Sequence, residues 1–266
     1  PEAPSASAVA VKDGDIIGVG SLEALVAQFS GAKVDPQFKD KTLIPGLIDP
    51  HVHIALGAMM YGLPMAPPWD VQTQNGTVKG LPDQAAFLAS VSDIYAARTD
   101  DTPMIIYGFH NLVHGELSRV ELDNIAPDSP LIIWHYSGHD FYFNSAAIET
   151  FGFTKALAKQ FHGVDLDSNG ELTGRIYEDA AMIAFGAIGS VLTAPAQMAA
   201  GYNGFETLLT QAGVTAVAEM GYGIFGRANE DAIISNFYTK DDNYRLYLVP
   251  EHRAFNAAYK DKAIAQ

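Results

Sequence analysis

The stretch from Thr42 to Ile54 reads TLIPGLIDPHVHI and constrains the fold more than any other part of the chain. An apolar run passes through Pro-Gly, resumes, and ends in two histidines one residue apart, which is the pattern of a buried strand. Side chains at positions i and i+2 of a strand point to the same face. We therefore expect His51 and His53 to lie close enough to bind one divalent metal ion, for which neutral imidazoles are good ligands. The alternative is a pair of histidines in a surface loop, because a bare His-x-His is a weak signal.

The composition narrows the classes of function. The chain has 16 basic and 31 acidic residues, and the resulting net charge of −15 disfavours binding to nucleic acid or to anionic membranes. Apolar residues make up 48% of the chain, which is enough for a sizeable core. The absence of cysteine excludes disulfides, thiolate metal ligands and a cysteine nucleophile. We expect a small-molecule substrate and no nucleic-acid or membrane partner. The sequence does not decide whether the protein forms a homo-oligomer. It does not decide the compartment either, although the cytoplasm is favoured over export.

Alternation and turn residues divide the chain into predicted elements. AVAVKDGDIIGVG predicts a hairpin that turns at Asp13-Gly14, and SLEALVAQF predicts a helix capped by Ser21. The segment 57–81 is rich in Gly and Pro and is predicted to be a long loop. Its side chains Met59, Met60, Tyr61 and Trp69 either line a mostly apolar substrate pocket or pack within the insertion, and the sequence favours neither. MIIYGF, LIIWHY, GVTAVAEM and NYRLYLVP predict buried strands. The last third of the chain therefore reads β-α-β, which predicts a parallel sheet in an α/β protein.

The flanks of the two histidines carry a resemblance to a known family. VAVKDGDIIGVG followed by DKTLIPGLIDPHVH resembles the opening of the metal-dependent amidohydrolase superfamily, in which a small β-rich domain leads into a (β/α)8 TIM barrel. The first barrel strand of that superfamily ends in Pro-Gly-x-x-Asp-x-His-x-His, matched here by Pro45, Gly46, Asp49, His51 and His53. LDNIAPDSPLIIWHYSGHDFYFNSAAIETFGF, DSNGELTGRIYEDAA and QAGVTAVAEMG resemble the amidohydrolase-3 branch, which includes N-substituted formamide deformylase-like enzymes.

The resemblance implies a domain plan and a reaction. Residues 1–43 would belong to the small β-rich domain. Residues 44–266 would form the first three strands of the barrel, with an inserted segment from about residue 57 to about residue 195. His51 and His53 would hold one or two divalent ions, with Zn2+ expected. The implied reaction is hydrolysis of an amide-like, non-peptide C–N bond by a water molecule that the metal activates.

The resemblance also implies that part of the catalytic unit lies outside this sequence. The other metal ligands of the superfamily are a Lys or Glu, two His and an Asp on later barrel strands. Only 16 residues follow Pro250, and each β/α unit of a barrel needs about thirty. We therefore expect about half of a catalytic unit, completed by a C-terminal half or by a second chain. The proton-shuttling Asp is expected beyond residue 266.

Four further residues are candidates for the site. His139 follows a buried strand, and the resemblance favours a metal or substrate contact over a structural role. Glu178, in GRIYEDA, stands where the branch often has an acidic residue, although a solvated helix start explains it equally well. Asp49 and Glu219 are candidates for supporting the metal ligands without touching the ion. One departure from the branch is Asn111, near a position where an acidic pair is common.

Two alternatives come from other classes of protein. Gly221, Gly223 and Gly226 spell G-x-G-x-x-G between a predicted strand and a predicted helix, which is the context of a dinucleotide site. A nucleotide-binding oxidoreductase is therefore the first alternative, although no further β/α units follow Pro250. The second alternative is a non-catalytic protein on a degenerate barrel, because a fold does not fix a function.

The pair His110 and His114 has the i, i+4 spacing of a zincin metal site. A zincin needs His-Glu-x-x-His on a helix, and Asn111 stands where the Glu belongs. The following Gly115 and the loop-like context predict no helix in this segment. The sequence therefore argues against a second metal site here.

Overall fold

The computed structural model describes residues 5–239 and 241–252, and its contacts divide the chain into two units between Pro45 and Gly46. The first unit contains the antiparallel strands β1 (Ala8–Lys12) and β2 (Asp15–Gly20), followed by helix α1 (Leu22–Gln28).

The first unit follows the local sequence closely. Asp13 and Gly14 have φ values of 52° and 89° at the turn, the left-handed conformation that an Asp-Gly hairpin requires. The Ser21 side chain accepts a hydrogen bond from the backbone N–H of Ala24 and so caps α1. The predicted hairpin and the predicted helix are both confirmed.

The second unit is an α/β structure with two main sheets. Its strands are β3 (Leu47–Val52), β4 (Val71–Thr73), β5 (Gly76–Val78), β6 (Met104–Phe109), β7 (Leu131–His135), β8 (Asp140–Phe143), β9 (Val164–Leu166), β10 (Leu172–Tyr177), β11 (Val214–Tyr222) and β12 (Arg245–Pro250). Its α-helices are α2 (Ile54–Tyr61), α3 (Gln84–Ala96), α4 (Asn111–His114), α5 (Arg119–Ile125), α6 (Ser145–Phe151), α7 (Ala181–Leu192), α8 (Pro195–Gln211) and α9 (Arg227–Phe237).

A three-stranded parallel sheet with the order β12-β11-β3 carries the His-x-His segment. Helix α9 connects β11 to β12, so the β-α-β unit predicted for the last third of the chain is confirmed. Because the strands are parallel, their C-terminal ends lie at one edge of the sheet. Within the described ranges neither β3 nor β12 has another strand on its outer side, so this sheet is open rather than closed.

A five-stranded sheet with the order β6-β7-β8-β10-β9 forms the other layer. Strands β6 and β7 are parallel and the remaining pairs are antiparallel. Trp134, Phe141 and Phe143 are fully buried on one face of this sheet, in a core that also contains Val52 of β3 and Val217 of β11. The two sheets therefore share one hydrophobic core.

The segment 57–81 differs from the long loop predicted for it. Helix α2 extends to Tyr61, and β4 and β5 form a hairpin that turns at Asn75 and Gly76. Six of the eight residues of α2 are buried, so the helix lacks the polar face by which a sequence usually reveals a helix. A buried helix rich in Gly, Ala and Met was therefore mistaken for irregular chain.

Helices α2 and α8 pack closely, and this contact places α8 beside the end of β3. Gly57 of α2 lies against the ring of Phe205, and Gly201 of α8 lies against the carbonyl oxygen of Ala58. A side chain at either glycine would meet atoms of the neighbouring helix.

No single helix among the described residues is long and apolar enough to cross a membrane. Glu178–Leu192 and Pro195–Gln211 meet that test only as a pair, bent by 102°.

Candidate functional site

His51 and His53 flank the junction at which β3 ends and α2 begins. Their ring centroids are 5.2 Å apart and the ring planes are nearly perpendicular, at 89°. Val52 between them is buried in the core, so the alternation along the strand places both imidazoles on the opposite side. His51 is exposed, and the His53 side chain is 37% exposed. Both rings are therefore accessible and close to each other.

Glu219, on the neighbouring strand β11, is the buried partner of His53. Its Oε1 accepts a hydrogen bond from Nδ1 of His53 at 3.1 Å, and its Oε2 accepts one from the backbone N–H of Ile54. The bond to Glu219 raises the pKa of His53; burial of the ring opposes this rise, and the charges of Glu219 and Glu230 add to it. Because a carboxylate only accepts, the neutral His53 ring carries its proton on Nδ1 and has its lone pair on Nε2.

Asp49 supports the same strand end. Its Oδ1 accepts a hydrogen bond from the backbone N–H of His51 at 3.1 Å. The carboxylate thus contacts the backbone at the histidine rather than the imidazole. Such a bond fixes the direction in which the His51 side chain leaves the strand.

A pocket of about 280 Å³ opens beside the two histidines, and most of its lining is apolar. Of the four side chains considered as pocket lining, only Met60 is in the wall. Met59 is buried in the core, Tyr61 packs on the ring of Phe205, and Trp69 packs on the rings of His110 and Tyr136. Helix α8 supplies side chains that no sequence pattern pointed to, because its approach depends on the close contact with α2. The lining residues are Asp49, His51, Val52, His53, Leu56, Gly57, Met60, Phe205, Leu208 and Leu209.

His139 and Glu178 are brought together by the structure. Both are exposed, and the backbone N–H of Glu178 donates to the carbonyl oxygen of His139 at 3.2 Å. Glu178 has a φ of 47°, a left-handed conformation that residues with a β-carbon rarely adopt. The turn that precedes His139 reaches the pocket, since a β-carbon at Gly138 would lie 3.2 Å from Cε of Met60. Within the described residues, neither side chain is hydrogen-bonded to His51 or His53.

Two other histidines have structural roles. His114 is fully buried; its Nδ1 accepts from the backbone N–H of His110, and its Nε2 lies 3.1 Å from the carbonyl oxygen of Leu81. The one-turn helix α4, with His110 at its N-cap, corrects the prediction that this segment is not helical. His135 ends strand β7, and its Nε2 lies 3.3 Å from Oδ1 of Asn111 in α4. The zincin-like spacing therefore reflects a packed core histidine.

The glycine triplet is part of a tight loop between β11 and α9. The backbone N–H groups of Gly223 and Phe225 donate to the carboxylate of Glu230, which is 3% exposed. In a dinucleotide site such N–H groups bind a phosphate. Here an internal carboxylate accepts them, which removes the structural basis of the nucleotide alternative. Glu230 lies in the first turn of α9, directly after the loop, and nothing in the sequence marks an acidic residue in that position as the partner of the loop N–H groups.

The described residues do not bring together a complete set of metal ligands. Across residues 5–239 and 241–252, no group of three or more His, Asp or Glu side chains is placed to hold a metal ion. The arrangement therefore offers two imidazoles and a carboxylate that bonds one of them. Such an arrangement suits part of a metal site with an accessible, mostly apolar pocket beside it.

Comparison with known proteins identifies the family. A sequence profile of the amidohydrolase family, of the amidohydrolase-3 type, matches residues 38–259. The chain is 29% identical over 182 residues to Protein LONG AFTER FAR-RED 3 of Arabidopsis thaliana, and 24% identical over 186 residues to the putative amidohydrolase YtcJ of Bacillus subtilis. Each alignment covers 67% of this chain but only 29% and 32%, respectively, of those proteins, so the chain spans about a third of their length.

The fold is also similar to a crystal structure. An uncharacterized metal-dependent hydrolase from Pyrococcus horikoshii superposes with a TM-score of 0.55 and 17% identity, over 91% of this chain and 44% of that chain. At this identity the similarity bears on the fold alone. The family profile, however, spans well over half of the 266 residues and includes the histidine pair, β11 and Glu219. The chain therefore belongs to the amidohydrolase family.

Proposed function

We propose that this protein hydrolyses a small amide-like substrate at a non-peptide C–N bond, using a divalent metal ion bound by His51 and His53. The observation that carries the proposal is the strand-end arrangement of two imidazoles 5.2 Å apart, one of which donates its Nδ1 proton to buried Glu219. Metal-binding histidines commonly donate their second ring nitrogen to a carboxylate in this way. Membership of the amidohydrolase family supports hydrolysis as the class of reaction.

The donor atoms of the pair suit a divalent ion. Nε2 of His53 is available because Nδ1 bonds to Glu219, and the ring nitrogens of His51 make no hydrogen bond within the described part of the chain. The negative charges of Glu219 and Glu230 act on His53, and the same field favours a cation beside the ring. We favour Zn2+, as one or two ions, because neutral imidazoles are common zinc ligands.

The remaining ligands are proposed to come from elsewhere in the protein. The family resemblance assigns them to a Lys or Glu, two His and a proton-shuttling Asp on later barrel strands. The described residues offer no third ligand beside the pair. A C-terminal half or a second chain is therefore proposed to complete the site.

The residues of this chain would bind and orient the reactants. A bound ion would polarise a carbonyl oxygen and acidify water, which is the chemistry that amide hydrolysis needs. Glu219 keeps the proton on Nδ1 of His53, and Asp49 holds the backbone at His51. His139 and Glu178 are proposed to contact the substrate or the metal from the rim. The left-handed backbone of Glu178 supports this role, because such conformations cluster at functional sites.

We place β3, β11 and β12 as the first three strands of a (β/α)8 barrel. They are parallel, adjacent, and ordered in space as in the chain, and the histidine pair and Glu219 lie toward their C-terminal ends, where barrel enzymes carry their sites. In this arrangement residues 1–43 belong to a small β-rich domain, and the segment of about 57–195 is an insertion. A structure of a longer chain that lacks a closed barrel would contradict this part of the proposal.

The test compares the purified full-length protein with two variants. We expect the double variant His51→Ala/His53→Ala to bind Zn2+ at least about tenfold more weakly in isothermal titration calorimetry and to lose hydrolysis of a panel of N-acyl amides and cyclic amides. The variant His162→Ala, which removes an exposed histidine, should match the wild type in both assays. Equal Zn2+ affinity in all three proteins would overturn the metal assignment. Binding of Zn2+ without hydrolysis of any amide would favour the non-catalytic alternative.

A further inference from the structure

The loop Gly221–Gly226 is held in one conformation by its backbone. Its three glycines have φ values of 110°, 98° and 91°, which only glycine adopts readily. Two bonds close it from within: the N–H of Ile224 donates to the carbonyl oxygen of Gly221, and the N–H of Gly226 to that of Gly223, both at 3.0 Å. The turns point two further N–H groups, of Gly223 and Phe225, toward the protein interior.

Glu230 fills the position to which these two N–H groups point. Its Oε2 accepts from Gly223 at 2.6 Å and its Oε1 from Phe225 at 2.8 Å, so both carboxylate oxygens are used. The side chain comes from the first turn of α9 and is almost completely buried. The N–H groups of Gly223 and Phe225 therefore form an anion-binding site, called the cradle below, and the carboxylate of Glu230 occupies it.

Gly221 of this loop borders the ring of His53. A β-carbon at Gly221 would be in ordinary contact with the imidazole, 3.6 Å from Cε1 and 3.9 Å from Nδ1, so the glycine backbone lies beside that edge of the ring with room for about a methyl group between them. Glu219 holds Nδ1 itself through the 3.1 Å hydrogen bond. The ring of His53 thus lies between a carboxylate partner and a loop that depends on Glu230.

We propose that Glu230 is a positioning residue for His53: its carboxylate fixes the Gly221–Gly226 loop against the imidazole and so fixes which way Nε2 faces. The expected effect of Glu230 on Zn2+ affinity rests on the proposed function, whereas its expected effect on the orientation of the His53 ring does not.

The first readout is the Cε1–H signal of His53 in a two-dimensional NMR spectrum of the metal-free full chain, assigned by its absence in His53→Ala. We expect Glu230→Ala to shift this signal. Added formate should restore it, because formate fits the vacated cradle and accepts the N–H groups of Gly223 and Phe225. Glu149→Ala, which removes an exposed carboxylate from α6, should leave the signal in place with or without formate.

The second readout is the affinity for Zn2+. Glu230→Ala should bind Zn2+ about tenfold more weakly than the wild type, as is usual when a group that orients a metal ligand is removed. Formate should restore the affinity. If Glu230→Ala does not fold, Glu230→Gln replaces it in both measurements, without the formate arm because the glutamine side chain still fills the cradle. It keeps the size of the side chain but only one acceptor oxygen and is expected to show the same direction of change.

The outcomes separate the two proposals. If loop amides in the Glu230 variants exchange faster with solvent while the His53 signal stays unchanged, Glu230 only stabilises the loop, and the positioning role is wrong. If the His53 signal moves and recovers in formate, but wild type and His53→Ala bind Zn2+ equally, positioning stands and the metal assignment falls.

Discussion

Gly201 of α8 packs directly on the carbonyl oxygen of Ala58 in α2, with no room for a β-carbon between the two helices. The obstacle is backbone, which yields less readily than the tip of a side chain. We predict that Gly201→Ala lowers the free energy of unfolding by about 3 kcal/mol, the upper end for overpacking a well-packed contact. Urea unfolding followed by circular dichroism measures this.

The matched control is Gly186→Ala in α7, where an added β-carbon meets nothing within 4 Å and φ is ordinary for a helix. This substitution should stabilise the protein by about 0.5–1 kcal/mol, because alanine loses less backbone entropy on folding than glycine. Two substitutions of identical chemistry are therefore expected to change stability in opposite directions. Equal effects at both positions would show that the α2–α8 contact is not as close as described.

Removal of the carboxylate that holds His53 should weaken metal binding. We predict that Glu219→Gln lowers the affinity of the full-length protein for Zn2+ by about 10- to 100-fold, the usual range for a group that orients a metal ligand. The amide retains one acceptor, so either the bond to His53 or the bond to Ile54 is lost. Competition with a chromogenic chelator measures the affinity, and Glu149→Gln, at an exposed position of α6, serves as the control. Unchanged affinity in Glu219→Gln would argue that His53 does not bind the ion.

The buried side chain of Asn144 forms hydrogen bonds with four backbone groups, and its removal should lower the stability of the protein. Its Oδ1 accepts from the N–H groups of Leu131 and Ala147, and its Nδ2 donates to the carbonyl oxygens of Ala126 and Ser129. We predict that Asn144→Ala lowers the free energy of unfolding by about 3 kcal/mol or more, since it removes a helix cap and leaves buried backbone groups unpaired. Asn169→Ala, in an exposed turn, should change it by less than about 0.5 kcal/mol. Similar losses in the two variants would contradict this account.

The buried neutral imidazole of His114 should make stability depend on pH. Burial lowers the pKa of His114 below its ordinary value of 6.5. Below pH 6.5 the unfolded chain therefore binds a proton that the folded chain does not, so the free energy of unfolding falls as pH drops from 6.5 toward the lowered pKa. Above pH 6.5 both states are neutral at this position and the contribution is constant.

The variant His114→Gln should flatten that part of the pH profile. It should also lower the free energy of unfolding at pH 7.5 by about 1–3 kcal/mol. The buried N–H group of His110 and carbonyl oxygen of Leu81 would lose their well-aligned hydrogen bonds to the imidazole. His162→Asn, at an exposed position, should keep the wild-type profile. Urea unfolding at several pH values between 5 and 8 provides the comparison. An unaltered slope in His114→Gln would assign the pH dependence to other groups.

Local patterns in the sequence were sufficient for the elements with clear periodicity. The first hairpin, α1, the strands β6 and β7, and the parallel pair of β11 and β12 follow from alternation, turn residues and apolar runs. The burial predicted for β3 and β12 is wrong: four of the six residues of β3 and five of the six of β12 are exposed, because among the described residues no strand covers the outer side of either. The adjacency of His51 and His53 follows from strand geometry alone. Helix α2 was missed because it is buried nearly all round, and its Gly and Met residues indicate packing rather than conformation.

The surroundings of the site depend on contacts that no local pattern encodes. Position at a strand end made Glu219 a candidate, but its hydrogen bond with His53 follows only from the pairing of β3 with β11. Glu230 bonds to the loop that directly precedes α9, although no pattern in the loop marks it as the acceptor. Phe205 reaches the pocket because two glycines let α8 approach α2. Trp69 was expected in the pocket and is held elsewhere by the rings of His110 and Tyr136.

The bond between Glu219 and the backbone of Ile54 joins residues 165 positions apart in the chain. The first turn of α2 and the direction of the His53 ring therefore stay undefined until β11 has been synthesised and has docked on β3. Contacts over such a sequence distance form late, because closing a long loop is slow compared with forming a helix or a hairpin. During synthesis both histidines emerge before β11, and we expect His53 to be oriented only when β11 pairs with β3, so an ion that reached the growing chain first would find one ligand that is not yet aligned.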